Sequence, residues 1–422
     1  MVPHLITALN GPINELEQRV LDSMPAIERW FRLEWMEHTP PFYCAVDIRN
    51  AGFKLAPVDT NLFPSGWNNL TPEMLPLAVQ AAMAAIEKIC PEARNLLVVP
   101  AGQTRSTFYL ANVLQLKRIF HQTGLNVRFG SLSPDIKEPT TYDLPTGESI
   151  TIEPLMRTDR RLGLKDFDPC TILLNNELSA GVPGILEELH EQYLLPPLHA
   201  SASVRHKSQH FQVYEEICKR FAKLLGIDPW LINPMFSSCG PVGSTGREAL
   251  SAQVDALLTK IRRKYKEYGI NEKPFVVVKA DGQADGLGIV TVRDVKDLES
   301  LSLPAVPEGL PPPEVIVQEG VLTNERVNEA VAEPVVYLMD RYVVGGFYRI
   351  HAERGVDESL NTPGASFVPL AFADSGRLPQ AGERPGSSSP NRFYMYGVIG
   401  RLALLAASYE LESTDPHAEV YD

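Results

Sequence analysis

The chain predicts a mixed α/β (α+β) fold in more than one unit, an N-terminal α/β domain followed by a C-terminal domain built on antiparallel sheets. Three observations predict it. At 422 residues the chain is longer than a single hydrophobic core usually organises. Up to about residue 200, strand-like and helical runs alternate, the pattern of a parallel or mixed sheet with helices packed on it. Beyond that point two helices are expected, and after them strand runs follow one another directly. The expected boundaries are a helical segment over 1–40, an α/β domain over 41–200 and a region over 201–422 closed by a helix.

Each element rests on local pattern. Residues 12–38 carry Ile13, Leu16, Val20, Leu21, Met24 and Ile27 at helical spacing, and the run stops before Pro40-Pro41. CAVDIRN and FKLAPVD read as short strands, and 72–89 reads as a helix with proline at its start. LLVVP (96–100) is a buried strand followed by a helix over 105–123. NVRFGSL, SITIEPL and TILLNNEL (171–178) supply further strands. Helices are then expected near 208–225 and 246–268, the second rich in Lys and Arg, whose KIRRKYKEY run reads as a solvated face. The strands FVVVKA (275–280), GIVTV (288–292), EVIVQEGV (314–321), EPVVYLMD (333–340) and VVGGFYRIH (343–351) follow. LPAVPEGLPPPE is a connector, 374–390 a Gly-, Pro- and Ser-rich loop, and 393–410 a last helix.

Composition narrows the function classes. With 44% hydrophobic and 22% charged residues the chain is an ordinary globular protein. A net charge of -13 argues against a surface built to hold nucleic acid phosphates non-specifically, yet leaves room for a local cationic cluster around one nucleotide. No run approaches the ~20 apolar residues of a bilayer span, and the first residues lack the basic stretch of a secretion signal. The five cysteines, Cys44, Cys90, Cys170, Cys218 and Cys239, are scattered without a CxxC pair. That pattern suggests neither a disulfide framework nor a zinc ribbon, and a reducing cytoplasm is the expected setting.

The most informative run is FVVVKADGQADGLGIVTV. A strand delivers Lys279, a loop with Gly282, Gly286 and Gly288 follows, and a second strand begins at once. Such a hairpin can close as a flap over a polyphosphate, glycine backbone approaching the oxygens while Lys279 supplies a charge. An ordinary Gly-rich hairpin has the same pattern. No helix follows, so neither a Walker A loop nor a dinucleotide-binding turn fits. What comes next favours the flap. EVIVQEGV ends in Gln318-Glu319 and can line an adenine slot. Arg349 ends VVGGFYRIH, within reach of a γ-phosphate or a carboxylate. Asp357, Glu358 and Asn361 then offer the hard oxygen ligands of magnesium, which neutralises a transferring triphosphate; a solvated acidic loop is the competing reading.

In this order of parts the chain resembles the ATP-grasp superfamily, and within it the proteobacterial ATP-grasp type of glutamate–cysteine ligase. The resemblance is carried along nearly the whole chain by CAVDIRNAGFKLAPVDTNLFPSGWNNL (44–70), TRSTFYLANV (104–113), ILLNNELSAGVP (172–183), RHKSQHF (205–211), the Lys279 flap, 315–354 and ESLNTPGASFVPLAFA (358–373). Two departures stand out. The usual spacing of the acidic ligand and the asparagine would select Ser359, so Glu358 must reach further or Glu333 or Asp340 must help. Asp281 and Asp285 also sit in the flap, where phosphate would repel them.

The resemblance implies an ATP-dependent ligase with 41–200 as the substrate domain and 201–422 as the ATP-grasp domain. It implies ATP and Mg²⁺ as cofactors, and glutamate and cysteine as substrates. Glutamate would be held through Asp47, Arg49, Lys54, Asp59 and Asn61, since bidentate arginine suits carboxylates; an exposed polar loop is the other use of this stretch. Arg105, Asn175 and Asn176 follow strand ends, where open α/β sheets bind ligands, with capping by Thr104 or Asn176 the alternative. Arg205 and Lys207 are expected to meet phosphate or carboxylate, the nearby histidines being structural. Lys279 and Arg349 would stabilise transfer of the γ-phosphate to the glutamate side chain, and the acyl phosphate would accept the amine of cysteine. An ATP-grasp ligase for other acids and amines, and a nucleotide-binding protein without turnover, are the rival readings.

Overall fold

The structure is a computed structural model that describes residues 5–6, 12–102, 106–240, 247–282, 289–300, 314–370 and 393–417. The connector before Glu314, the 374–390 loop, Asp285, Arg105, Gly286 and Gly288 lie outside the described residues.

Two antiparallel sheets and one mostly parallel sheet make up the body. The parallel sheet runs Tyr193–Leu195, Thr171–Asn175, Asn95–Pro100, Asn126–Ser131, Ser149–Pro154, with Thr140–Asp143 antiparallel at the edge. Its central strands are near-continuous apolar runs because both faces are covered: Leu96, Val98 and Leu173 join one core with helices Leu75–Ile89 and Thr107–Gln122, and Leu97, Val99, Ile172 and Leu174 join another on the opposite face. The helix expected over 12–38 is two helices, Pro12–Asp22 and Met24–Glu37. Pro25 opens the second, and a ring without an N–H there prevents the first from continuing.

The seven-stranded antiparallel sheet departs from the expected boundaries. Tyr43–Asn50 pairs with Ala330–Met339 on one side and with Leu55–Asn61 on the other, while Ala330–Met339 pairs also with Tyr342–His351. The boundary expected at residue 200 therefore divides a sheet: residues 43–61, expected with 41–200, pair with strands almost 300 residues further on, Asp47 lying opposite Val335. Helix Phe393–Thr414 is buried nearly all round and covers one face of this sheet, where Cys44, Val46, Ile48, Ala332, Val336 and Leu338 point.

The third sheet orders its strands Phe236–Cys239, Val315–Glu319, Val276–Ala280, Val290–Val292, all antiparallel. Helix Arg247–Tyr268 lays Leu250, Val254, Leu257, Leu258 and Ile261 against it and leaves its basic residues outward. The free face of this sheet and the free face of the seven-stranded sheet border one cavity.

Candidate active site

Strand alternation decides which side chains enter that cavity. In Val276–Ala280, Val276 and Val278 join the helix-side core, so Val277 and Lys279 point the other way. In Val315–Glu319 the same period sends Val315 and Val317 to the core and Gln318 to the cavity. On the seven-stranded sheet Val46 and Ile48 face the covering helix, while Asp47 and Arg49 face the cavity. Glu333 stands directly opposite Arg349, and Asp47 directly opposite Asp59. Lys279 and Asn361 line the same cavity, together with Lys207, Asp357, Ser359 and Thr291.

The sheet floor is a charged network. Arg349 Nη1 donates to Asp47 Oδ2 and to Glu333 Oε1, both at 2.6 Å. Arg49 Nε donates to the other Glu333 oxygen at 2.9 Å and Nη1 to the Val321 carbonyl at 3.2 Å. Lys207 Nζ donates to Asp59 Oδ1 at 2.7 Å. Burial opposes the charge on Arg349, but Asp47 and Glu333 outweigh it and hold the guanidinium protonated. Burial pushes Asp47 up, Arg349 pulls it down, and the nearby Glu333 and Asp59 carboxylates push it up again. Asp59 goes the other way: burial is overcome by Lys207 and Lys279, which keep it below the usual carboxylate range.

Lys279 is placed by a β-bulge. The register steps from Asp47–Asp59 to Ile48–Pro57, leaving Val58 without an opposite residue, and the Val58 carbonyl accepts from Lys279 Nζ at 2.7 Å. Burial lowers the Lys279 pKa to about 8, and Asp59 offsets part of that.

Asp281, the acidic residue the flap did not explain, turns away from the cavity. Its two oxygens accept from Ser208 N and Oγ at 2.6 Å each, and so cap helix Lys207–Leu225. Gly282 follows it against His206.

Several expected residues serve the scaffold instead. Glu319 reaches the cavity wall, but its carboxylate accepts from Lys54 Nζ at 2.7 Å, Trp230 Nε1 at 3.0 Å and Met235 N at 2.9 Å. It shares the core-side face with Val317, one residue out of phase with Gln318, so it does not close an adenine pocket. Lys54 is fully buried against Trp230, and Arg205 is committed to Glu410 at 2.6 Å and to the Thr60 carbonyl at 2.7 Å. Asn61 caps Phe63 N and meets Glu177, and Asn176 caps Leu178 N. Asn175 bonds Pro64, Tyr109 and Asn112, tying the parallel sheet to the strand of Tyr43. Ser106 caps the helix after LLVVP.

The expected magnesium loop is also partly spent. Asp357 is bound by Arg293, and Glu358 folds back to Gly355 N at 2.6 Å and to Arg354. Of the helpers considered, Glu333 is in the cavity wall, whereas Asp340 meets Lys88 at 2.6 Å elsewhere. Asp47 and Asp59, directly opposite each other in the cavity wall, also offer hard oxygen ligands, each bonded to a cation as well, Asp47 to Arg349 and Asp59 to Lys207. Sequence reading placed both with glutamate, because nothing local sets them beside Lys279. It missed Val277, Thr291 and the Val58 carbonyl; alternation from Lys279 would have found Val277, but a bulge leaves no local signal.

Comparisons with known proteins give the family. The family model of glutamate–cysteine ligase matches residues 17–411. A crystal structure from Methylobacillus flagellatus KT, described as a candidate gamma-glutamylcysteine synthetase, is 54% identical with a TM-score of 0.91, covering 98% of this chain and 100% of that one. A glutathione synthetase-like effector from Globodera pallida is 12% identical with a TM-score of 0.39, over 84% of this chain and 82% of its own. D-alanyl-alanine synthetase A of Vibrio cholerae O1 biovar eltor is 14% identical with a TM-score of 0.32, over 65% and 73%. At those scores the last two carry no argument about this chain. No match was found among curated proteins. With the family model covering most of its length, this chain belongs to the glutamate–cysteine ligase family.

Proposed function

We propose that the cavity between the two antiparallel sheets is where this ligase activates glutamate with ATP and joins it to cysteine as γ-glutamylcysteine. The observation that carries the reading is the meeting of Lys279 with the opposed carboxylates Asp47 and Asp59 across one cavity. The polyphosphate lies along Lys279, and the base lies against Val315–Glu319. There Gln318 Nε2 is a buried donor with no partner among the described residues, suited to an acceptor on a purine edge. Asp47 and Asp59 would hold Mg²⁺, which supplies charge neutralisation for the triphosphate.

Arg349 stands behind them, outside the cavity lining, and its guanidinium holds Asp47 and Glu333 in place beside the transferring phosphate. Fixed by these two carboxylates, it needs no reorganisation as the reaction proceeds. The side-chain carboxylate of glutamate attacks the γ-phosphorus of ATP and ADP leaves. The amine of cysteine then attacks the acyl carbon, phosphate leaves, and the amine proton passes to solvent or phosphate. None of the five cysteines takes part. The cytoplasm, with its pool of free cysteine, is the setting proposed.

Incubation with ATP, Mg²⁺, glutamate and cysteine should yield γ-glutamylcysteine by mass spectrometry, and Asp59→Asn should lower turnover about 100-fold. Full turnover in that variant would move the cation site elsewhere. Absence of product from the wild-type chain would sink the reading itself.

A further inference from the structure

We infer that Cys90 and Cys170 are a disulfide-forming pair, closed by exchange with a small-molecule disulfide, and that the bond fastens the end of helix Leu75–Ile89 to the parallel sheet. Their sulfurs lie 2.6 Å apart, well inside the roughly 3.5–4.0 Å separation of ordinary non-bonded carbon atoms. The two residues are 80 positions apart in the chain, so their meeting is a product of the fold and not of sequence proximity.

Both sulfurs are held by regular structure. Cys90 caps the helix, its N–H donating to the Ile86 carbonyl at 2.8 Å. Cys170 immediately precedes Thr171–Asn175, and its carbonyl accepts from Tyr193 N at 2.9 Å. Neither end needs to travel for the bond to form. Both residues are partly exposed, whereas Cys44, Cys218 and Cys239 are buried, so a small disulfide reaches this pair first.

The chemistry balances as an exchange. The Cys170 thiolate attacks one sulfur of R–S–S–R, whose other half leaves as a thiolate and takes up the proton Cys170 gave. Cys90 then loses its proton and attacks the Cys170 sulfur, and the second R–S⁻ leaves and is protonated. Two protein thiols are oxidised, and one external disulfide is reduced to two thiols. Burial and the neighbouring Cys170 thiol raise the Cys90 pKa to about 11. The same balance holds with the two cysteines exchanged. The fastened helix matters beyond its own domain: Lys88, two residues before Cys90, pairs with Asp340, and Met74 packs on Gly345 in the strand that carries Arg349.

The test uses the full chain and cystine as the probe. Wild-type protein should lose two of its five titratable thiols and two hydrogens in intact mass, and peptide mapping should join Cys90 to Cys170. Cys90→Ser should stop at the first step and carry one half-cystine on Cys170. Oxidised wild type should melt a few degrees above the reduced form, with no such rise in Cys90→Ser. Five thiols retained, a mixed disulfide that never closes in the wild type, or a different joined pair would each overturn the pairing. A bond that forms without raising the melting temperature would overturn the fastening. None of these outcomes depends on which acid and amine the enzyme joins.

Discussion

Lys279 is a cation held where burial disfavours its charge. With its pKa lowered to about 8, it is protonated below that pH and able to meet phosphate, and neutral above it. Because kcat/KM reports the free enzyme, it should fall as pH rises through about 8. Lys279→Arg keeps a charge over the whole accessible range and should lose that falling limb while turning over more slowly at neutral pH. The same limb in the arginine variant would assign it to another group. Glu333 makes the complementary case. It is 3% exposed and accepts from both Arg49 and Arg349. Glu333→Ala leaves buried guanidinium groups short of an anion and should lower stability by about 3–5 kcal/mol in a denaturant titration. A loss under about 1 kcal/mol would mean that Asp47 alone neutralises them.

At the scale of elements, side chains from one segment complete the ends of another. Helix Lys207–Leu225 has His206 at its N-cap without a side-chain bond, and Asp281, from the strand of Lys279, supplies the missing acceptor. Asp281→Ala should cost about 1–2 kcal/mol in a thermal melt, and Asp281→Asn should recover part of it. An alanine variant as stable as wild type would show that solvent caps the helix equally well. The bulge at Val58 works in the same way, turning one carbonyl out of the sheet ladder to hold Lys279 in place. Both devices lie beside the proposed phosphate position, where the cap fixes Asp281 away from a nucleotide it would repel.

Across the whole molecule, stability is shared between distant parts of the chain. Residues 201–422 expressed alone lack Tyr43–Asn50 and Leu55–Asn61, which leaves an edge of Ala330–Met339 unpaired along Val335–Met339. That fragment should show no cooperative melt; a sharp transition would mean the C-terminal region folds by itself. Glu410, on the last helix, couples to Arg205 and His210. Burial opposes its charge, but Arg205 and His210 hold its pKa at about 2. A carboxyl lowered on folding stabilises the protein above its unfolded pKa, near 4.5, and loses that contribution as pH falls toward about 2. Glu410→Gln should be less stable at neutral pH and show a shallower loss across that acid range by circular dichroism.

Local pattern located the longer strands and helices, because periodicities of 2 and 3.6 are properties of neighbouring residues, but not the short strands Tyr193–Leu195, Thr140–Asp143 and Phe236–Cys239, which only sheet pairing defines. It was enough also to name Lys279 and Gln318 as one group, since their strands lie close in sequence and carry their alternation openly. Pairing is another matter. Lys279 meets a carbonyl 221 residues away, and nothing near position 58 or 279 encodes that distance. The tertiary structure therefore decided that Asp47 and Asp59 face the lysine, that Glu319 and Lys54 sit behind it as a buried pair, and that Arg205 belongs to the last helix. Charged residues satisfy one another wherever the sheets bring them together, and only the packed chain shows which partners remain for a ligand.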